Sequence, residues 1–517
     1  MGRSPPQPWC SGLTPNNITS GEFVMSTVHT VSLRGLTGQV STLTVTADDG
    51  PPEILLTGGN GRSQRELRDR VHAALANSGQ PNRSRHIEVH LGPSEAAPQA
   101  AAVAVAALCV ILGVRARRLA GTAVLGEVGL DGSLRPTCGV LPAVQAVRAH
   151  GLHRVIVPAD ALGQAVLVDG VEVLGARTLS EVADWLRGTD TALHRPGVPT
   201  GLVAETPQPP WRALTTPVLQ AVEVAAAGGH HLLLDAVEGS GTLLVAQWLH
   251  QLLPDLTPDQ QLQLAAIRSL TGPREDGAIL TATAPMVTAH HSDSLATLVG
   301  GSVPGAVSRA HHGVLVACDL DRFAPLALET LRRALLDRQV RLAHGGHELR
   351  YPALGQLFAT CVRTPGLRTL LAPVLLDTLD IRLRLASPRA VMLPPEDDRD
   401  RIGRVRAQAR ARVLRARARA ATRWSQAASG SDTVFTNATV PEEVLHSRPL
   451  PAAVDAPIHH ALRIGALSHR GAGAVLRMAW TAADLDGLTP PARRHIEQAL
   501  ALRRTTPTQS ATVPEVR

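Results

Sequence analysis

The chain has 517 residues, too many for one ordinary core, and 44% are apolar against only 2% aromatic, so its several cores must be built from Leu, Val and Ala. All 51 residues in the Lys+Arg count are arginine, and the formal net charge is +7. A protein without lysine excludes every mechanism that needs an ammonium: a phosphate-loop lysine, a Ser–Lys dyad, a Schiff base.

In chain order, residues 1–26 lack a basic segment followed by an apolar one and read as a disordered tail, or as the product of a start upstream of Met25. STLTVTAD and HIEVHLG alternate with period two and predict strands, while LRDRVHAALANSG predicts a helix ending at Gly79. The longest apolar run, Ala100–Gly113, is shorter than the ~20 residues a membrane helix needs and predicts a buried helix. RVIVPA is a strand and LSEVADWLRG a helix. The stretch 189–212 carries five prolines by Pro210 and no periodicity, and reads as a linker. Beyond it, helix PVLQAVEVAAAGGH leads to strand HLLLD, a Gly-Ser-Gly turn and helix TLLVAQWLHQLL. GVLVAC is a continuous apolar strand of the kind a parallel sheet covers on both faces. After Leu385 the pattern is helical, over Arg401–Trp424 and again over Ala453–Arg504. The five cysteines are scattered without a C-x-x-C pair, which disfavours a disulfide framework or thiolate zinc site. With no secretory or membrane segment, the expected location is cytoplasmic.

A strand, a Gly-Ser-Gly turn and a helix form the architecture in which backbone N–H groups cradle phosphates. The surroundings make the motif more specific. AVEVAAAGGHHLLL, APMVTAHHSDSLATLVGG and SRAHHGVLVACDLDRF occur in the order and spacing of the magnesium-chelatase-type AAA+ ATPases, and the chain resembles their ComM/YifB subfamily. VLGEVGLDGSLRPTCGVLPAVQAVRAHGLHRVIVPA looks like that subfamily's N-terminal Lon-protease-like domain, and LSHRGAGAVLRMAWTAADLDG like its helical lid. The resemblance covers residues 27–505. It implies an α/β fold in which a Lon-like β/α domain (27–188) precedes the linker (189–212). An AAA+ core (213–388), a helical lid (389–505) and a tail (506–517) would follow. It further implies ATP and Mg²⁺ as cofactors, hexameric rings or a hetero-assembly, and DNA as partner, since ComM relatives are ring-shaped motors of branch migration in natural transformation.

The residues depart from that chemistry. An active member would carry G-x-x-x-x-G-K-[ST] where this chain has Ala236, Val237, Glu238, Gly239, Ser240, Gly241, Thr242 and Leu243. Thr242 replaces the lysine that reaches the β/γ-phosphates, and Leu243 replaces the hydroxyl that holds Mg²⁺. Glu238 adds a negative charge on the phosphate approach. Losing the cation alone forfeits a charge-assisted hydrogen bond of about 1.5–3 kcal/mol. The Asp-Glu pair that ends the family's next strand, one to hold Mg²⁺ and one to activate water, becomes Cys318 and Asp319. A one-residue slip makes Asp319 the metal-side carboxylate and leaves Leu320 where the base belongs. Val362 aligns with the sensor asparagine, and Thr378 with a trans-acting arginine. Of the lid arginines, Arg470 and Arg477 remain. Two readings follow: a hydrolysis-deficient relative acting as a DNA- or partner-binding scaffold, or an ATP-driven motor with atypical motifs that uses an arginine such as Arg470 in place of the lysine.

Gly92-Pro93-Ser94 looks like the Gly-Pro-Ser of Lon proteases, but no lysine is available to activate the serine, so protease activity is not expected. Adjacent histidine pairs (His230/His231, His290/His291, His311/His312, His459/His460) point to different faces and suit hydrogen bonding at strand ends better than chelation. Between Arg399 and Trp424 stand ten arginines. At 100° per residue Arg401, Arg404, Arg412, Arg415, Arg419 and Arg423 share one sector, which could track nucleic-acid phosphates or simply be solvated.

Overall fold

The computed structural model describes residues 26–58, 61–91, 99–114, 116–195, 197, 214–237, 240–272, 280–344, 347–362, 373–385, 399–427 and 436–503. The chain divides into two compact units, one holding most of the described residues up to Gly197 and the other those from Leu214 on.

The first unit is a seven-stranded mixed sheet in the order Glu53–Thr57, Arg85–Leu91, Thr37–Asp49, Ser26–Arg34, Thr122–Val124, Arg154–Pro158, Glu172–Ala176. Thr37–Asp49 runs antiparallel to Arg85–Leu91, with Val45 opposite Val89 and Ala47 opposite Ile87, so the alternation seen in sequence places those side chains on one buried face. The apolar run is a helix, Ala100–Ile111, buried continuously from Ala100 to Val110, which explains why it has no polar face. Thr178 caps Leu179–Arg187 by accepting from the Glu181 N–H, and Gly188 ends the helix in the left-handed conformation. Order continues into the stretch read as linker. Asp190–Ala192 forms a short 3₁₀ turn, Leu193 is buried, and His194 exchanges backbone hydrogen bonds with Gly175.

The second unit contains a five-stranded sheet in the order Met286–His290, Val314–Cys318, Gln356–Val362, Leu232–Ala236, Ile381–Arg384, and every pairing is parallel. Covered on both faces, such strands need no polar alternation, hence the runs LLLDA and VLVAC. Counted along the chain the order is 2-3-4-1-5. The first strand lies inside the sheet, where the strand order reverses, and the crevice beyond its carboxyl end is the usual ligand position in open α/β sheets.

The helical region comprises Arg399–Ala427, Glu442–His446, Ala452–Arg463, His469–Asp486 and Arg493–Arg503. Ile402, Ala409, Val413, Ala416, Ala420 and Trp424 make the buried stripe of the long helix. Near its end, Trp424 and Trp480 meet edge to face with centroids 5.6 Å apart. The Arg423 guanidinium lies 4.5 Å from one indole and 5.1 Å from the other. Arg423 pairs with Asp484, both under 7% exposed, and Asn437 completes the network by donating to Asp484 Oδ2 (2.9 Å) and accepting from Trp424 Nε1 (2.7 Å). Burial pushes the Asp484 carboxyl upward, against the pull of Arg423.

Two histidine pairs and His290 make the hydrogen bonds expected of them, while the buried Nδ1 of His291 has no hydrogen-bond partner among the described residues. His230 joins Asp380 (3.2 Å) to Thr481 of the lid (2.8 Å), and His231 accepts from the Leu357 N–H (3.0 Å). His290 bonds Ser292 through Nδ1. His311 Nδ1 accepts from the Leu354 N–H (3.0 Å) while its Nε2 faces Gln263 Oε1 (3.3 Å), an arrangement that requires the neutral ring. Burial, and then the neighbouring His312, lower His311 to about 3, and burial lowers His312 to about 4. The unfolded chain takes up these protons near the ordinary histidine value of ~6.5 and the folded chain does not. Stability is therefore complete above about pH 6.5 and is lost progressively as pH falls toward 4 and 3. For His311 the loss should reach about 2 kcal/mol at pH 5. Thermal melts at pH 7.5 and pH 5 check this: the wild type should lose more than His311→Asn, and equal losses would refute the assignment.

Candidate nucleotide site

Leu232–Ala236 delivers the loop to the carboxyl edge of the sheet, and helix Thr242–Leu252 leaves from it. Of the eight loop positions, Glu238 and Gly239 lie outside the described residues. Ser240 is buried, with its hydroxyl donating to the Val237 carbonyl (2.6 Å) and its N–H to the same oxygen (3.1 Å), a tight turn. Gly241 holds φ +74°, a conformation that favours glycine, and starts the helix by accepting from the Leu244 N–H (3.0 Å). The described end of the loop thus keeps a strand-to-helix turn, with the N-terminus of an eleven-residue helix opening on the crevice. The side chains of a phosphate site are not kept. Thr242 is partly exposed, and Leu243 is 50% exposed to solvent where a metal-binding hydroxyl would stand.

The neighbouring strand ends face the same edge. Cys318 terminates Val314–Cys318, and burial together with the adjacent Asp319 raises its thiol pKa. Asp319 is left-handed (φ 55°), its N–H donates to Thr360 Oγ1 (3.0 Å), and its carboxylate is 4.0 Å from Arg322. Val362 pairs in register with Ala236, one strand over from the loop.

Sequence reasoning missed Asp235. It is 3% exposed, lies one residue before the loop, and pairs with Arg384 (2.8 Å) on the edge strand. Its second oxygen has no hydrogen-bond partner. A carboxylate ending the apolar run LLLD was the available signal. The buried Asp235 carboxylate, already paired with Arg384, repels a triphosphate, and the exposed Leu243 offers Mg²⁺ no ligand, so the residues present do not fit that cofactor.

The structure does not bring Arg470 to this loop. Arg470 and Arg477 line a cavity of about 340 Å³ with Gly229, His231, Gly355, Thr378 and Asp380. Gly229, His231, Gly355 and Asp380 all precede strands, so the cavity lies at the amino edge of the sheet. At ~3.3 Å per residue a five-residue strand separates it from the loop by roughly 13 Å. Grouping Arg470 with Thr242 in one site is therefore corrected: within a single chain the lid helix sits behind the sheet. Thr378 is buried there, its hydroxyl donating to the Leu375 carbonyl (2.6 Å), and Arg477 donates to the Val440 carbonyl (3.1 Å).

Three family descriptions match the chain: subunit ChlI of Mg-chelatase over residues 43–161, magnesium chelatase subunit ChlI over 216–368, and its C-terminal part over 404–503. An uncharacterized protein of Mycobacterium tuberculosis is 37% identical over 515 residues, 93% of this chain and 99% of that protein. The uncharacterized protein YifB of Escherichia coli is 32% identical, covering 66% of this chain and 68% of its own length. The chain belongs to the magnesium-chelatase family, in its YifB/ComM subfamily. The competence protein ComM of Haemophilus influenzae is 26% identical over 93% of this chain and 97% of its own. The mixed α/β architecture with parallel sheets and a C-terminal helical region is that of this AAA+ family.

The arginine sector of this magnesium-chelatase lid departs from the expected solvent stripe. Arg412 pairs with Glu223, Arg419 donates to the Asp484 carbonyl (2.6 Å), and Arg423 is buried. The apolar stripe of the helix adjoins the arginine sector, so arginines at its border turn inward. Arg404 and Arg415 are exposed.

Proposed function

We propose that this chain is a hydrolysis-deficient member of the YifB/ComM subfamily that keeps the AAA+ scaffold to bind DNA or a partner protein. The observation that carries the reading is the pairing of a left-handed Gly241 and a helix N-terminus at the loop with side chains of the wrong kind. Thr242 supplies no cation where the lysine would stand, Leu243 no metal-binding hydroxyl, and Cys318 with Asp319 supplies at most one of the two carboxylates hydrolysis needs. In this reading residues 27–188 form the Lon-like domain, 213–388 the nucleotide-derived core and 389–505 the lid. On the same reading the chain assembles into rings of its own or into a mixed assembly with a related subunit. The described helices include none long and apolar enough to cross a membrane, and a cytoplasmic setting among nucleic acids fits the reading.

The retained helix N-terminus favours one rival, a nucleotide-binding motor with atypical motifs. Calorimetric titration with Mg·ATP, combined with phosphate release in the presence and absence of branched DNA, separates the two. The scaffold predicts no binding below millimolar ATP and no turnover. Micromolar binding with DNA-stimulated release would establish the motor instead.

A further inference from the structure

Ala418, Arg419, Thr422 and Arg423 form one wall of a groove of about 420 Å³ on the lid, completed by Arg448 and Thr489. Three guanidinium groups and two hydroxyls line it, and no carboxylate does. Arg423 is neutralised from behind by Asp484 and forms the floor. Arg419 spends one nitrogen on the Asp484 carbonyl (2.6 Å) and is otherwise exposed. The Arg448 side chain has no hydrogen-bond or ion-pair partner among the described residues.

Two cations, Arg419 and Arg448, on a concave polar surface whose lining holds no carboxylate suit a phosphate group, whose oxygens match the planar guanidinium fork. Exposed arginines extend the line. At ~1.5 Å rise per residue Arg415 lies about 6 Å, and Arg404 about 22 Å, back along the helix from Arg419, and at ~100° per residue the three fall within roughly 60° of one another.

We infer that this groove is a phosphate-binding site that anchors a nucleic-acid strand running back past Arg415 and Arg404. The inference rests on the DNA-binding reading above and deepens it, replacing Arg412 with Arg448 as a phosphate ligand. A free oligophosphate offers the same chemistry from another source.

The test uses the full chain, fluorescence anisotropy with a labelled oligonucleotide at several salt concentrations, and calorimetry with pyrophosphate. Arg448→Glu touches no bond of the fold and should melt like the wild type. It should weaken oligonucleotide binding about tenfold or more and reduce the salt slope by about one for each phosphate that is no longer neutralised. Arg419→Gln should act in the same direction. Arg463→Glu, an exposed charge on the helix Ala452–Arg463, controls for general electrostatics and should have little effect. Normal oligonucleotide binding by both groove variants overturns the site and leaves the DNA reading standing. If the wild type binds pyrophosphate but no oligonucleotide, and Arg448→Glu abolishes that binding, the groove stands and the nucleic-acid strand is overturned. Binding of neither probe by the wild type overturns both.

Discussion

Replacing Thr242 by Lys and Leu243 by Thr should restore ATP binding without restoring turnover. The helix start that would receive the phosphates is already built: Gly241 is left-handed and the Ser240 turn is closed. The ammonium should return a charge-assisted hydrogen bond of about 1.5–3 kcal/mol, or roughly tenfold to a hundredfold in Kd, and the hydroxyl would add metal coordination. Hydrolysis should stay at background because Cys318 and Asp319 still lack one carboxylate role between them, and Asp319 is held by the Thr360 hydroxyl through its backbone. Calorimetry and phosphate release on the double variant check both halves. Unchanged binding would mean that the loop backbone, or the buried Asp235 beneath it, is the real obstacle, and Asp235→Leu in the same background would distinguish them.

The second large effect concerns stability. Arg423→Ala should cost about 3–5 kcal/mol, because it removes the ion-pair partner of the buried Asp484 carboxylate and leaves it the Asn437 amide, with Arg419 engaged on the Asp484 backbone carbonyl. For a unit of this size that corresponds to a fall in Tm of about 10 °C. Arg415→Ala, a few residues away and exposed, should move stability by less than about 0.5 kcal/mol. Arg423→Met with Asp484→Leu should recover much of the loss by substituting apolar packing for the pair. Differential scanning calorimetry on the three variants is sufficient, and equal melting of Arg423→Ala and Arg415→Ala would show that the pair contributes nothing.

The elements with an uninterrupted pattern were legible in the sequence: the buried helix from Ala100, the strands around Val45, Val89 and Ile156, the loop strand, and the long arginine helix. Thr122–Val124, too short for any periodicity, and the hairpin Gln339–His344 with His347–Pro352, whose charged outward residues obscure the alternation, were not. In the candidate site the losses at Thr242 and Leu243 could be read directly, since they follow from residue type at a fixed spacing. Asp235 could not, because a carboxylate at a strand end has meaning only once Arg384 is known to lie on the adjacent strand. The same limit applied to the arginine helix. Angular sectors computed from one helix cannot tell which border residues another helix will claim, and Glu223 claimed Arg412.

The scarcity of aromatic rings has a spectroscopic consequence. Of the four described tryptophans, Trp185 belongs to the first unit, Trp248 to the helix that begins at Thr242, and Trp424 with Trp480 to the lid. Each of these regions therefore carries its own emitter, beside one tyrosine and the two tryptophans outside the described residues, Trp9 and Trp211. Single Trp→Phe replacements would turn the chain into a set of optical probes, with Trp248 reporting on the loop and the paired indoles under Arg423 reporting on the lid. Ligand binding and local melting could then be followed region by region without attaching a label.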